Sequence, residues 1–180
     1  MKRVPPNRAY YAAMHGAWRG RYRLDLTGRV TAASRLDAMA WRGFAWLLRL
    51  FPAFLETSVD ASGTDVLHTT TLRVLGIALM KSVERIELDE DGHRLTLRGT
   101  QRFLMEPWRP REVSGTGAIA HDVSGASYAL AFLGVALEQR VERVDDGTLR
   151  FTHVTPFARG DFLLRGSHGG DPGRSRPSLR

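Results

Sequence analysis

Hydrophobic and polar residues alternate along most of the chain, and one such stretch occurs twice. Residues 75–86 and 133–144 align at a constant offset of 58, with seven of twelve positions identical and two further Ile/Val exchanges. A strand-like run precedes each copy, and an Asp-Gly pair (Asp91-Gly92 and Asp146-Gly147) leads into another alternating run. Because Asp-Gly favours tight hairpin turns, the repeated unit is predicted to be a three-strand antiparallel meander.

The two meanders, 62–103 and 124–157, and the runs around them predict a sheet of about ten strands. Nine strands are expected at 57–62, 65–75, 77–88, 93–104, 111–122, 125–133, 135–144, 148–157 and 160–165. A first strand carries Trp18 and Tyr22 on its apolar face. Two Leu-Gly pairs, at 75–76 and 133–134, are interpreted as sharp bends or bulges. Because closure removes exposed edges, the predicted fold class is all-β, an antiparallel up-and-down barrel with a short helical insert.

The helical insert is predicted at about 34–55, between the first strand and the others. Ser34 and Asp37 form an approximate capping box. Gly43 and Pro52 are interpreted as either a break into two short pieces or a tight packing point. One narrow basic stripe follows this helix and consists of Arg35, Arg42 and Arg49. Three roles stay open for the segment: a helix packed on the end of the sheet, a lid over a cavity, or a surface at 36–51 that contacts a membrane or partner transiently.

Composition sets the domain organisation and excludes several chemistries. Residues 1–165 are predicted to be a single domain with a helical turn near 8–14, and residues 166–180 a disordered basic tail rich in Gly, Pro and Ser. The chain has no cysteine, which excludes disulfides, Cys-type zinc sites and thiol catalysis. The first residues lack the apolar run of a signal peptide, so a cytoplasmic location is expected.

The net charge of +7 is not interpreted as a nucleic-acid signal. Of the 26 basic residues 24 are arginine, which is typical of codon bias, and several alternate along strands where an outer face would carry them, as at Arg94 and Arg98. No nucleic-acid-binding module accompanies the charge. Neither a nucleic-acid partner nor a particular oligomeric state is predicted.

The first strand opens with Gly16-Ala17-Trp18, and this motif resembles the G-x-W of lipocalins and the wider calycin superfamily. A strand, a helical insert and nine further strands also resemble the fatty-acid-binding proteins, while Gly20 extends the motif toward nitrobindin-like haem barrels. The resemblance implies a barrel that holds an apolar ligand, with helices at its portal. It also implies that a late arginine, Arg159 or Arg165, packs across the tryptophan.

Polar residues on otherwise apolar strand faces are the candidate site residues, because a barrel interior should be mostly apolar. The ligand-binding candidates are Gln101, Gln139, His121, Tyr128, His68, Phe103 and Phe151. His153 is the candidate catalytic residue, since an imidazole among apolar neighbours can transfer a proton near neutral pH. Arg85 and Arg143, each of which follows a glutamate, are interpreted as members of cross-strand ion pairs at the surface.

These residues leave more than one class of function open. The first is a binding or carrier protein for a small hydrophobic molecule, in which the interior polar groups only orient the ligand. The second is a cyclase or isomerase with His153 as acid or base, so whether the protein is an enzyme is left undecided. A filled structural core is a third alternative. No cofactor and no metal site are predicted, and haem held through His153 is a minor alternative.

Overall fold

The chain forms a closed antiparallel barrel of ten strands with a short helical insert, as the sequence predicts. The computed structural model describes residues 6–32, 34–62, 65–89, 93–104 and 106–166. In chain order the elements are α1 (Pro6–Met14), β1 (Gly16–Tyr22), β2 (Asp25–Leu26), α2 (Arg35–Leu50), β3 (Ala53–Asp60), β4 (Val66–Val74), β5 (Ile77–Leu88), β6 (Arg94–Phe103), β7 (Glu106–Ile119), β8 (Gly125–Phe132), β9 (Val135–Asp145), β10 (Thr148–Thr155) and β11 (Ala158–Gly166).

Each strand from β3 to β11 pairs with the next one along the chain, and β1 closes the barrel between β3 and β11. The closing register places Trp18 opposite Gly166. The two-residue strand β2 pairs with β11 near its start, where Leu26 lies opposite Ala158. This up-and-down order leaves none of the ten barrel strands with an unpaired edge, which is the physical reason for closure.

One end of the barrel is closed by α1, which the sequence predicts only as a short helical turn. The Trp18 indole donates to the Met14 carbonyl (2.9 Å), and the Tyr10 hydroxyl donates to the Val141 carbonyl (3.2 Å). The Asn7 amide donates to the Asp89 carbonyl (3.0 Å). Because these bonds tie α1 to strands from both halves of the chain, the helix is part of the core.

The other end of the barrel is covered by α2. The Asp37 amide donates to Ser34 Oγ (3.0 Å), which confirms the predicted cap. Both interpretations of Gly43 are wrong: the helix is continuous over Arg35–Leu50, and a Cβ at Gly43 would meet no atom within 4 Å apart from its chain neighbours and the helix backbone. The helix ends before Pro52, and the chain enters β3 at Ala53. An isolated glycine lowers helix propensity by only about 1 kcal/mol, and packing outweighs that. Of the helices in the described residues, neither is long and apolar enough to cross a membrane.

The two Leu-Gly pairs are hairpin turns, where the sequence suggested bends or bulges. Leu75 and Gly76 have φ of 51° and 82°, and Leu133 and Gly134 have φ of 48° and 69°. Positive φ at both central residues defines the two-residue turn whose twist matches the flanking strands. The turns join β4 to β5 and β8 to β9, so both copies of the repeat form the predicted strand–turn–strand–strand unit.

The middle strand of each meander contains a one-residue irregularity, at opposite ends in the two copies. In β5, Leu72 pairs with Met80 and Arg73 with Ala78, so Leu79 is an extra residue. In β9 the extra residue is Val144, beside the turn into β10. An extra residue shifts the alternation of side chains by one. Between the position of Leu79 and that of Val144, equivalent residues of the two copies therefore face opposite sides of the barrel wall.

The predicted contact between Trp18 and a late arginine is wrong. Trp18 faces inward whereas Arg159 and Arg165 face outward, so neither arginine packs across the indole; the backbone of Gly166 lies against its ring instead. The Asp91-Gly92 turn and the tail from residue 167 onward lie outside the described residues.

Candidate functional site

A cavity of about 50 Å³ lies inside the barrel beneath α2. Its apolar lining comes from Tyr22, Leu24, Trp41, Phe44, Leu55, Leu72, Met80, Leu130, Phe132 and Leu137. Its polar lining comes from His68, Thr70, Ser82, Glu84, Gln101, Gln139, His153 and Thr155. A mostly apolar pocket with a few convergent polar groups is typical of a ligand site, although such pockets usually measure about 300–1,000 Å³.

The roof of this cavity is built from aromatic side chains of α2. Trp41 packs edge-on against Phe132 and Phe157, with ring centroids 5.2 and 5.1 Å apart. Phe44 packs 5.8 Å from Trp41 and from Phe132. These contacts fill space that a larger ligand would occupy. Because α2 covers this end of the cavity, we refer to it as the lid.

A buried hydrogen-bonded pair, His68 and Glu84, lies on one wall of the cavity. His68 Nδ1 donates to Glu84 Oε2 (3.0 Å), and the Ser82 hydroxyl donates to Glu84 Oε1 (2.5 Å). The Thr57 hydroxyl lies 2.6 Å from His68 Nε2 and holds the ring from the opposite side. Gly99, directly opposite Glu84 on β6, has no room for a side chain, since a Cβ there would lie 2.2 Å from the Val83 carbonyl oxygen.

The charge on Glu84 is stabilised against the cost of burial. Burial is the largest influence and favours the neutral acid, but the hydrogen bonds and charge supplied by His68, with the Ser82 hydroxyl, outweigh it and lower the pKa of Glu84 below its ordinary value. The barrel interior therefore holds an ionised carboxylate.

His153 lies on the same cavity as a neutral imidazole. Burial lowers its pKa from 6.5 to about 4, an effect that the negative charge of Glu84 partly opposes. Its Nδ1 lies 3.4 Å from the Tyr22 hydroxyl, and its ring packs edge-on against Phe162. Burial also raises the pKa of Tyr22, so this hydroxyl stays protonated at neutral pH.

Two buried polar atoms beside the cavity have no hydrogen-bond partner among the described residues. They are His153 Nε2 on the barrel wall and Trp41 Nε1 on the lid. Buried donors and acceptors are nearly always paired, because an unpaired group loses its hydration without compensation. The two atoms therefore mark where a polar group of a bound molecule, or water, would be held.

The predicted site residues divide into three groups. The cavity brings together His153, His68, Gln101 and Gln139. Tyr128 and Phe151 lie deeper, around a second void of about 10 Å³ near α1, where the Tyr128 hydroxyl bonds to that of Tyr11 (2.8 Å). The pKa of Tyr128 is raised, mainly because the side chain is buried.

Phe103 and His121 do not line either cavity. Phe103 packs on Phe132 near the lid, 5.7 Å between ring centroids. His121 is exposed in the turn after β7, with its ring 4.5 Å from that of His93. Strand β7 ends at Ile119, so the alternation that suggested an inward His121 does not extend that far.

Sequence reasoning missed Glu84 and Ser82 on the polar wall, and also Thr57, which contacts His68 from the side away from Glu84. Arg85 is exposed and pairs with Asp65 (2.8 Å), whereas the glutamate that it follows, Glu84, faces inward. The alternation of Met80, Ser82, Glu84 and Ile86 carried the necessary signal, since two apolar residues flank the polar pair on one face.

A haem group does not fit the cavity as it stands. The single inward imidazole with a free Nε2 suits an axial ligand, but a cavity of about 50 Å³ leaves no space for a macrocycle. The described residues also contain no cluster of three or more metal-ligating side chains.

Comparison with known proteins gives no assignment for the chain. No family model matches it, and no curated protein matches it either. The closed ten-strand barrel with a helical insert is consistent with a calycin-like barrel at the level of fold.

Proposed function

We propose that this protein is a calycin-type barrel that binds a small, largely apolar molecule with one polar group in the cavity beneath α2, and that it acts as a cytoplasmic binding or carrier protein. The observation that carries the proposal is the pair of unpartnered buried atoms, Trp41 Nε1 and His153 Nε2, beside one mostly apolar cavity. A filled structural core would have no reason to leave both groups unpaired.

The size of the cavity implies that the ligand displaces part of the lid. Trp41 and Phe44 occupy the space between the polar wall and α2, and they contact other rings rather than polar partners. Rotation of these side chains, or a small outward movement of α2, would enlarge the cavity toward the size of ordinary ligand sites. The polar wall then fixes the orientation of the ligand.

Native mass spectrometry of freshly purified protein tests the proposal. We expect a fraction of the molecules to carry one small bound compound, and the apolar fluorophore N-phenyl-1-naphthylamine to bind in competition with it. His153→Gln and Trp41→Phe should each weaken binding by about tenfold at most, the worth of one hydrogen bond. Protein that carries no compound and does not bind the fluorophore would contradict the proposal.

A second candidate function is a proton-transfer enzyme, such as an isomerase or cyclase that acts on an apolar molecule. A neutral His153 and an ionised Glu84 on the same cavity favour this function. His153 would act as the base, and the negative charge of Glu84 would stabilise His153 once it is protonated. In this mechanism His153 Nε2 would take a proton from a carbon of the substrate and return it at another position.

Deuterium incorporation separates the two functions. The co-purified compound would be incubated with the protein in D₂O and extracted, and its molecular mass would be measured by mass spectrometry. An enzyme should exchange carbon-bound hydrogen, and His153→Gln should slow the exchange by about a hundredfold or more while binding survives. A carrier should return the compound with its carbon-bound hydrogens unexchanged.

A further inference from the structure

Exposed apolar side chains are concentrated at the lid end of the barrel. Of the thirteen large apolar residues that are well exposed among the described residues, eight lie on α2 or on the neighbouring turns and strand ends. Four are on the helix: Leu36, Met39, Trp46 and Leu50, with Leu36 74% and Trp46 60% exposed. The others are Leu26, Leu75, Ile77 and Leu104. We call these eight residues the lid surface.

The outward side of α2 is apolar along its whole length. Its four exposed apolar residues follow spacings of three, seven and four, which places them in one stripe opposite the buried Trp41 and Phe44. A helix on a barrel rim needs only its inward side to be apolar. Contiguous exposed apolar area of this kind marks an interaction surface.

A row of arginines borders this stripe. Arg35, Arg42 and Arg49 are exposed and recur every seven residues, the same period as the stripe itself. Among the described residues none of the three pairs with a carboxylate, whereas Arg73 and Arg150 on the barrel wall both do. Their charge is therefore available to a partner.

We propose that the lid surface docks on an anionic phospholipid bilayer, with the apolar stripe of α2 in the interface and the three arginines against lipid phosphates. A helix with Leu, Met and Trp on one side and arginines beside them fits the interfacial plane of a membrane. A second copy of the chain fits less well, because a two-fold pairing of the same surface would bring the two arginine rows together. Docking places the lid where an apolar molecule could pass between the cavity and the lipid.

Vesicle sedimentation tests this proposal directly. The protein should bind vesicles of phosphatidylcholine mixed with phosphatidylglycerol, bind neutral phosphatidylcholine vesicles much more weakly, and lose the difference at high salt. Arg42→Ser/Arg49→Ser should weaken binding roughly 25-fold, about fivefold for each arginine. Arg98→Ser, on the barrel wall, is the matched control and should bind like the unmodified chain.

The apolar contribution is tested with Trp46. Leu36→Ser/Trp46→Ser should abolish sedimentation, whereas Leu163→Ser, an exposed apolar residue on the outer wall, should not. Trp46→Phe keeps the apolar bulk, so it should retain binding but lose the blue shift of tryptophan fluorescence that vesicles induce. These substitutions are at exposed positions, so urea unfolding should confirm that each variant folds.

Several results would overturn the proposal. They are equal binding to neutral and anionic vesicles, absence of binding to either, or a concentration-dependent dimer that Leu36→Ser/Trp46→Ser dissociates while vesicles have no effect. The last would identify a second copy as the occupant. None of these results would bear on the cavity, because native mass spectrometry detects its ligand without any membrane.

Discussion

The two copies of the repeat carry the same Val-Glu-Arg triplet but turn it to opposite sides of the barrel wall. In β5 Glu84 is buried and Val83 exposed, and in β9 Val141 is buried and Glu142 exposed. The difference follows from one extra residue, Leu79, placed before the triplet in the first copy. A single bulge thus decides whether a repeated glutamate is a surface residue or part of a buried site.

Because of this inversion, the two copies contribute different side chains to the barrel interior. In the second copy Leu137 and Val141 flank Gln139 on the inner face of β9, and an exposed Glu142 is open to solvent. In the first copy the inner face of β5 carries Ser82 and Glu84, which meet His68 on β4. The polar wall of the cavity therefore depends on the bulge as much as on the residues.

Deleting one residue from each middle strand should produce the largest contrast. Removal of Leu137 shifts the rest of β9 by one and turns Glu138 and Arg140 inward, so the variant should not fold. Removal of Leu79 only removes the bulge, because Met80 keeps its pairing with Leu72. It should cost roughly 1–3 kcal/mol.

Circular dichroism and urea unfolding measure both deletions. A folded Leu137 deletion with an unfolded Leu79 deletion would reverse the comparison. Equal effects from the two deletions would show that the bulge does not set the faces of β5.

Truncation of the two equivalent glutamates should give the next largest contrast. Glu84→Ala should lower the free energy of unfolding by about 2–6 kcal/mol, because it leaves His68 Nδ1 and the Ser82 hydroxyl buried without their acceptor, at about 1–3 kcal/mol each. Glu142→Ala should change it by less than about 0.5 kcal/mol, as exposed substitutions do. Urea titration at neutral pH gives both values, and similar losses for the two variants would place both glutamates in the same environment.

His153 should make the stability of the fold depend on pH in a definite window. Its pKa of about 4 in the folded protein lies below the ordinary 6.5, so the unfolded chain takes up the proton first. The free energy of unfolding is therefore unaffected by protonation of His153 above pH 6.5 and decreases by roughly 3 kcal/mol as the pH falls toward 4. His153→Gln should flatten this part of the profile, whereas the exposed His121→Gln should leave it unchanged.

The fold could be predicted because its signals are local. Alternation and turn residues are properties of adjacent positions, so the meanders and the cap at Ser34 follow from sequence. The inward placement of His153, Gln101 and Gln139 follows for the same reason, because apolar residues two positions away mark the inner face around each of them. The role of α1 did not follow, since Tyr10 and Tyr11 find their partners only across the barrel.

The part of the site contributed by Glu84 was missed for a different physical reason. The place of a bulge depends on how two neighbouring strands pack together. The positions that residues 75–86 share with residues 133–144 therefore give no sign that the bulge lies in a different place in each copy. The unshared positions hold the information: Ser82 suits a buried polar wall, while its equivalent Arg140 belongs in solvent. The positions that differ between two copies of a repeat therefore indicate which side of each strand is buried better than the identical positions do.

The most direct test of this account uses the absence of cysteine from the chain. Four single-cysteine variants, at two pairs of equivalent positions, would be treated with a thiol reagent under native conditions: Ser82→Cys with Arg140→Cys, and Val83→Cys with Val141→Cys. We expect rapid labelling at 83 and 140 and protection at 82 and 141, because only 83 and 140 are exposed. Labelling of the same position in both copies, 83 with 141 or 82 with 140, would contradict the inversion.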